Sequence, residues 1–559
     1  MSTTSPPSAA SDTSFFGHPK GLSTLFFTEI WERMSYYGMR ALLYIFMTAA
    51  VTAGGLGFDE SKTGAIYGLY TAGVYLLALP GGWVADRILG KRRAIFWGGV
   101  VLAAGHFCLA IDSIHFFFFG LLLIVLGTGL IKPNVSAIVG DLYPEGGVRR
   151  DSGFSLFYMG VNLGAFSGPL ICGFLGEKLN WHWGFAAAGI GMVLGLIQYS
   201  LGQKNLGTAG DLPAVETLSP AELAARKGAV RTLVISLVAG IGIFTAFYLG
   251  LVPLTVQQVA KGGTAVILGI ALTFLFYVMF FAQLTMVERL KVLAFGVLFL
   301  FSAIFWSGFE QAGSSMTAFA RDVTDRALSP LTQRLFLWGG AALLAGLIVA
   351  LQRHRNRHPE RSPAWLPGAH VLFAVGILLL LWLSFTRVQG EWEMPTSFFQ
   401  SINASFIVIF SPVFALLWPW LGRRNPSTPA KFGIGVLLLA IGFLVLVIAA
   451  QQGESGKVLP GWLVVTYLMH TFGELFVSPV GLSTATKLAP RRYVSQMMGL
   501  WFISISLGNL VGGQVASKLG EFSMGTIFAW VAGITAGSGV LVLILAPWVR
   551  RWMADAEHA

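Results

Sequence analysis

Charge is what this chain has least of: Asp, Glu, Lys and Arg make up 11% of its 559 residues, while 55% are hydrophobic and the mean hydropathy is +0.71. Soluble domains of ordinary usage carry about 25% charged residues, so that class is excluded and a polytopic membrane protein is expected. Cysteine is scarcer still. Cys108 and Cys172 are the only two, and both fall inside apolar runs, which excludes a disulfide framework and a thiolate metal site. Enzyme signatures are missing: there is no HExxH pair, no Gly-x-Ser-x-Gly elbow and no phosphate-binding loop, so nothing marks a membrane-embedded enzyme. The net charge of +11 does not point to nucleic acid, because the basic residues sit in short clusters between apolar runs and form no stripe. Met1 to Gly17 is rich in Ser, Thr and Pro and has no basic stretch leading into an apolar core, so a disordered tail is expected there and no signal peptide.

What is present is apolar helix. Runs of about 17 to 25 apolar residues are long enough to cross a bilayer. Sixteen occur, at roughly 22–52, 62–85, 94–111, 115–139, 152–176, 183–200, 231–254, 264–286, 292–319, 335–351, 368–386, 397–420, 432–450, 461–486, 496–518 and 526–548. Between the sixth and seventh, Ser219-Pro220-Ala221-Glu222 carries an N-cap, a first-turn proline and a glutamate three residues on, which predicts a short surface helix in a polar linker. Every second loop is basic, from Arg87, Lys91, Arg92 and Arg93, through Arg149 and Arg150, to Arg550 and Arg551. The positive-inside rule then places both termini in the cytoplasm. The shortest pair, 335–351 and 368–386, is the weak point of that count, since a re-entrant segment there would break the alternation.

The first span holds most of the intramembrane charge. Glu29, Glu32, Arg33, Tyr36, Tyr37 and Arg40 are spaced 0, +3, +4, +7, +8 and +11, one face of a helix. Ionisable groups at that depth cost roughly 2.5 to 3.5 kcal/mol each on insertion scales, so they face one another or a wet cavity. Three others are stranded in spans: Lys132, Glu310 and Glu474. At 1.5 Å per residue, Arg40 and Glu310 each lie about 28 Å from the cytoplasmic start of their helices and can meet near the outer side. Lys132 and Glu474 lie lower and can close the inner side, so the pairs give a carrier its two alternating closures. Asn162 follows Tyr158 by one turn, Asn403 sits in the twelfth span, Ser478 is one turn beyond Glu474, and Tyr75 and Trp501 supply amphipathic walls. Glycines four apart, as in Gly164 with Gly168 and Gly508 with Gly512, predict close helix packing.

These residues carry a resemblance. Glu29-Ile30-Trp31-Glu32-Arg33-Met34-Ser35-Tyr36-Tyr37-Gly38 resembles the Glu-x-x-Glu-Arg-Phe-x-Tyr-Tyr-Gly signature of the proton-dependent oligopeptide transporter (POT) family, with Met34 where Phe is usual. Phe157-Tyr158-Met159-Gly160-Val161-Asn162-Leu163-Gly164 and Phe305-Trp306-Ser307-Gly308-Phe309-Glu310-Gln311 resemble two further family motifs, and Gly81 to Arg93 is similar to the loop motif of the wider major facilitator superfamily. The resemblance implies an all-α major facilitator fold: a tail at 1–20, six-helix bundles at 21–200 and 287–548, a cytoplasmic linker at 201–230, an inserted helix pair at 231–286 and a C-terminal tail at 549–559. A hairpin at about 335–386 has no place in that plan and is an insertion.

Carried over by motif, the resemblance implies that Glu29, Glu32, Arg33 and Glu310 couple protons and that Arg33, Tyr37 and Lys132 receive a peptide carboxylate. It also implies that Asn162, Asn403 and Glu474 hold the peptide ammonium, that Tyr36, Tyr75, Tyr158, Ser478 and Trp501 line the pocket, and that Arg40 with Glu310 and Lys132 with Glu474 are the gates. The implied activity is proton-coupled uptake of di- and tripeptides across a bacterial inner membrane, with the proton as coupling ion and neither cofactor nor obligate protein partner. Relatives of this family also carry nitrate, which leaves a small anion as the alternative cargo. Unpaired charges of both signs suit pairing better than the one-signed ring of a channel.

Overall fold

A computed structural model describes residues 12–144, 147–212, 219–357 and 366–557 of the chain. Its helices, in chain order, are α1 (Lys20–Thr48), α2 (Glu60–Leu76), α3 (Ala78–Val84), α4 (Lys91–Leu109), α5 (Ile114–Asp141), α6 (Gly147–Lys178), α7 (Trp181–Gly202), α8 (Pro220–Tyr248) and α9 (Val256–Phe281). There follow α10 (Met286–Phe309), α11 (Ser315–Asp322), α12 (Pro330–Arg357), α13 (Leu366–Thr386), α14 (Gln400–Leu421), α15 (Thr428–Gly453), α16 (Gly461–Leu488), α17 (Val494–Ala516) and α18 (Met524–Glu557). Two spans are broken helices. Pro80 has no N–H for the Leu76 carbonyl, which separates α2 from α3, and a 3-10 turn at Glu310–Gly313 separates α10 from α11. Each of the sixteen expected spans is therefore helical. Ten helices among the described residues are long and apolar enough to cross a membrane by hydropathy; α1, which carries the charge stripe, is not among them. This is an integral multi-pass membrane protein.

Two hydrophobic cores divide the chain. One is built from α1 to α7 around residues such as Leu25, Tyr44, Phe185 and Tyr199, the other from α10 onward around Phe295, Phe305, Phe443 and Phe528. Small residues set the distances between helices. On α6, a Cβ at Gly164 would lie 2.5 Å from the Ile30 carbonyl, and one at Gly168 would lie 2.5 Å from the Met34 carbonyl. So α6 lies directly on the backbone of α1. Gly512 meets the Ser307 carbonyl of α10 in the same way, at 2.8 Å, so both glycine pairs read from the sequence serve packing. The inserted pair is unequal: α9 packs on α2, α10 and α17, whereas α8 is exposed along most of its length and meets the first bundle near Arg226, which donates to the Ile88 carbonyl at 3.1 Å.

The structure corrects four boundaries. The capping box at Ser219 and Glu222 forms, but its helix runs without interruption to Tyr248, because no proline separates the polar first turns from the apolar run and Gly228 is tolerated within the helix. The expected surface helix is thus the start of the seventh span. Residues 335–351 and 368–386 belong to longer helices, α12 of 28 and α13 of 21 residues, joined at their base by a two-stranded ribbon, β1 (Ala327–Leu328) with β2 (Trp392–Glu393). The C-terminal tail at 549–559 is helical as far as Glu557, as the continuation of α18. Residues 12–19 of the N-terminal tail are ordered; residues 1–11 lie outside the described residues.

That ordered segment has a physical cause. The Asp12 carboxylate accepts from the backbone N–H of Lys20 at 2.8 Å and of Ser14 at 3.0 Å. His18 is buried, with Nδ1 2.9 Å from the Tyr143 hydroxyl and Nε2 3.3 Å from the Ser152 hydroxyl. Burial, and then the Arg149 guanidinium, lower the His18 pKa. The unfolded chain then takes up this proton first as pH falls. The His18 contribution to stability is complete above about pH 6.5 and is lost progressively below it. Thermal unfolding in detergent between about pH 7.5 and 5 is expected to show a shallower acid-side fall in Tm for His18→Gln than for the native chain.

Candidate functional site

The charge stripe of α1 points into the protein: Glu29, Glu32, Arg33, Tyr36 and Arg40 are buried, with α2 meeting the stripe at Tyr67 and Tyr70 and the second bundle meeting it at Glu310. Arg33 Nε lies 2.7 Å from Glu29 Oε1 and 2.8 Å from Glu32 Oε2. Glu32 is 0% exposed. Two ionised carboxylates around one guanidinium leave a net negative charge in a low-dielectric interior, where an uncompensated charge is costly.

About three turns of α1 separate the ends of the stripe, and its far end meets the second bundle. The Arg40 guanidinium pairs with Glu310 and donates to the Tyr67 hydroxyl at 2.6 Å. The break between α10 and α11 places Glu310 there, and Gly313 makes the room, since a Cβ on it would overlap the Tyr67 hydroxyl. Nearer the rim, Arg321 pairs with Glu60 at 2.7 Å and also donates to Thr48. These contacts close the face opposite the chain termini.

Below the closure lies a cavity of about 280 Å³, at the lower end of small-ligand sites, which span roughly 300–1,000 Å³. Its walls carry opposite charges. Lys132 projects from α5 beside Pro133 and sits with Nζ 3.4 Å from the centre of the Tyr75 ring. Across the cavity, Asn403 donates to Glu474 Oε2 at 3.1 Å and to the Thr471 hydroxyl at 3.0 Å. Lys132 and Glu474 line the same space without forming an ion pair. The pair expected from depth on the terminal side is therefore open, while the Arg40–Glu310 pair is made.

Most of the sequence candidates converge here. Tyr37, Arg40, Tyr75, Lys132, Tyr158, Asn162, Glu310, Asn403, Glu474 and Ser478 line the cavity. Glu29, Glu32 and Arg33 form their own cluster outside the lining, with Arg33 held by both carboxylates. Two candidates are corrected. Tyr36 is 2% exposed and stacks on Tyr70 behind the wall. Trp501 is 5% exposed and packs between Phe295 and Phe432, over Gly481, where a Cβ would touch the indole at 2.2 Å. Its neighbour Phe502 reaches the cavity instead. Trp306, Phe309, Gln400, Ile407, Tyr467 and Phe502 line the site and were not foreseen; Trp306 and Phe309 flank Glu310 in the motif already singled out, which was the available signal. His470 also lines it, with its ring against Phe443 at 4.8 Å, as a packing histidine does.

Known proteins resemble this chain along nearly its whole length. The family model of the POT family matches residues 92–330 and 379–531. The chain belongs to the POT family. The peptide transporter YePEPT of Yersinia enterocolitica is 37% identical over 97% of each chain, and a di-/tripeptide transporter of Lactococcus lactis is 34% identical over 97% of this chain and 98% of its own. A peptide transporter POT crystallised with sulfate is similar over 98% of each chain, with 37% identity and a TM-score of 0.79. The stretch 331–378, which the family model leaves unmatched, covers α12 from its second residue and most of α13.

Removing one partner of a buried ion pair costs about 3–5 kcal/mol, because the other charge is left uncompensated. Glu310→Gln is expected to lower Tm in detergent by several degrees, and adding Arg40→Gln to recover most of the loss, since no charge then remains unpaired. Equal losses in the single and double variants would contradict the pairing.

Proposed function

We propose that the protein is a proton-coupled symporter that takes up di- and tripeptides by alternating access, with the terminal face in the cytoplasm of a bacterial inner membrane and the opposite face outside. One observation carries this reading: a cavity of about 280 Å³ with Lys132 on one wall and Glu474 with Asn403 on the other. A zwitterionic peptide offers an anion and a cation separated by its backbone. Such a cavity orients it by its ends and leaves the side chains unread, which fits promiscuity. Tyrosine and asparagine groups on the walls satisfy peptide backbone atoms while their apolar parts tolerate varied side chains. The relatives named as peptide and di-/tripeptide transporters support the same cargo.

Coupling follows from the Arg33 cluster. A proton on Glu29 or Glu32 loosens the guanidinium, which then reaches the peptide carboxylate beside Lys132 and Tyr37, so proton and peptide bind cooperatively. Asn162, Asn403 and Glu474 hold the ammonium end, and Tyr75, Tyr158 and Ser478 line the pocket. The Arg40–Glu310 and Lys132–Glu474 pairs alternate as outer and inner gates. One charge crossing 100 mV gains about 2.3 kcal/mol. Roughly 150 mV therefore supports a concentration ratio on the order of 300. The proton is the coupling ion, the lipid bilayer is the surrounding partner, and neither cofactor nor second protein chain takes part.

Competition in whole cells tests the cargo. Glu474→Gln is expected to raise KM for an unmodified dipeptide on the order of tenfold, the loss of one charge-assisted contact, and to leave weak uptake of its N-acetyl derivative unchanged. Lys132→Ala is expected to discriminate against the free carboxylate in the same manner. Nitrate displacing the substrate while dipeptides do not would move the protein to the small-anion reading.

A further inference from the structure

On the outer side the bundles touch along several seams. Arg40 with Glu310 and Arg321 with Glu60 join α1 and α2 to α10 and α11, and α2 packs on α17, where a Cβ at Gly64 would lie 2.5 Å from the Ser517 backbone nitrogen. A further seam joins the end of α6 to the start of α14. There the Glu177 carboxylate accepts from two successive backbone N–H groups, Thr396 at 2.7 Å and Ser397 at 2.8 Å. Both belong to the first turn of the helical stretch that runs from Thr396 through Leu421, whose donors have no acceptor within the helix. A carboxylate is the favoured partner at that end, through charge-assisted bonds and the helix dipole.

The surroundings are fitted to this contact. Gly173, one turn before Glu177, lets α6 and α14 touch, since a Cβ there would lie 1.9 Å from the Ser397 hydroxyl. Deeper in the seam, the Ser401 hydroxyl donates to the Phe166 carbonyl at 2.8 Å. Lys178 lies 3.8 Å from Glu393 on β2, which Arg326 holds at 2.7 Å, so the base of the inserted hairpin is joined to the same seam.

We propose that Glu177 is a positioning residue for transport: a two-pronged latch that holds the outer side shut along the α6–α14 seam and must release before the cavity opens outward. The inference rests on the alternating-access reading. A rocking motion that parts the bundles on the outer side separates α6 from α14, and both N–H groups then pass to water in the opening vestibule. The latch holds main chain, so it is independent of the membrane-buried carboxylates and sets the balance between closed and open states apart from the Arg40–Glu310 pair.

The test reads the gate directly. With Cys108 and Cys172 replaced by alanine, Ala312→Cys on the cavity wall is labelled in right-side-out vesicles by a membrane-impermeant maleimide only when the outer side opens. Glu177→Ala is expected to raise the labelling rate on the order of tenfold, the effect of losing one charge-assisted hydrogen bond, and Glu177→Gln, which keeps one acceptor oxygen, to fall between. Unchanged labelling in Glu177→Ala overturns the proposal. A second variant does not depend on tolerance of alanine. In Glu177→Cys with Thr396→Cys, copper phenanthroline takes two electrons from the two thiols, their protons pass to solvent, and a disulfide spans the seam. Uptake is expected to stop on oxidation and to return with reductant. Transport at the unlinked rate in fully crosslinked protein overturns the latch. If the cargo is not a peptide, the labelling rate still responds to Glu177, so failure of the latch and failure of the peptide reading give different results.

Discussion

A guanidinium held between two carboxylates inside a membrane helix is the constraint on which the rest of the structure depends. Arg33 with Glu29 and Glu32 cannot face lipid, so α1 is enclosed, and the enclosure is what the fold supplies. Glycines at every fourth position of α6 bring that helix onto the α1 backbone. Arg40, on the same stripe, then extends across to Glu310 on the second bundle. The same helix that holds the buried cluster thus carries one half of the closure. A change of charge at Glu29 or Glu32 and a change of gate are events on one rigid element, the physical link that coupled transport requires.

Two helix irregularities flank the cavity. Pro133 removes one backbone hydrogen bond from α5 beside Lys132 while the helix continues to Asp141, and the 3-10 turn at Glu310–Gly313 interrupts the seventh core span at Glu310 itself. Irregular backbone at membrane depth is tolerated only where it faces protein or a wet space. Here it faces both. The hairpin α12–α13 stands apart from this logic: it packs chiefly on itself and falls where the family model has no match. Its ribbon base beside Lys178 is where an added element touches the moving parts.

The spans, the stripe and the outer pair were legible because apolar run length and stranded charge are strong signals. Helix rise alone put Arg40 and Glu310 at one depth. Other features were hidden for physical reasons. Trp501 and Phe502 are adjacent, and only the Gly481 opening decides which ring is packed and which reaches the cavity. Tyr36 shares the face of Tyr37 but meets Tyr70, a neighbour that spacing along one helix cannot name. Glu177 escaped notice because its partners are main-chain N–H groups, which leave no mark in a list of side chains. The capping box at Ser219 was visible, whereas the continuity of its helix through Gly228 to Tyr248 depended on the absence of a second proline.

The central claim is that a proton at the Arg33 cluster drives peptide accumulation. The most direct measurement is dipeptide uptake into proteoliposomes under an inward proton gradient with negative-inside potential, comparing the native chain with Glu29→Gln and Glu32→Gln and measuring peptide exchange without a gradient in parallel. The account predicts uphill accumulation in the native chain, loss of accumulation with exchange retained in at least one glutamine variant, and no accumulation without the gradient. Full accumulation in both variants, or native uptake that only equilibrates under the gradient, would contradict it.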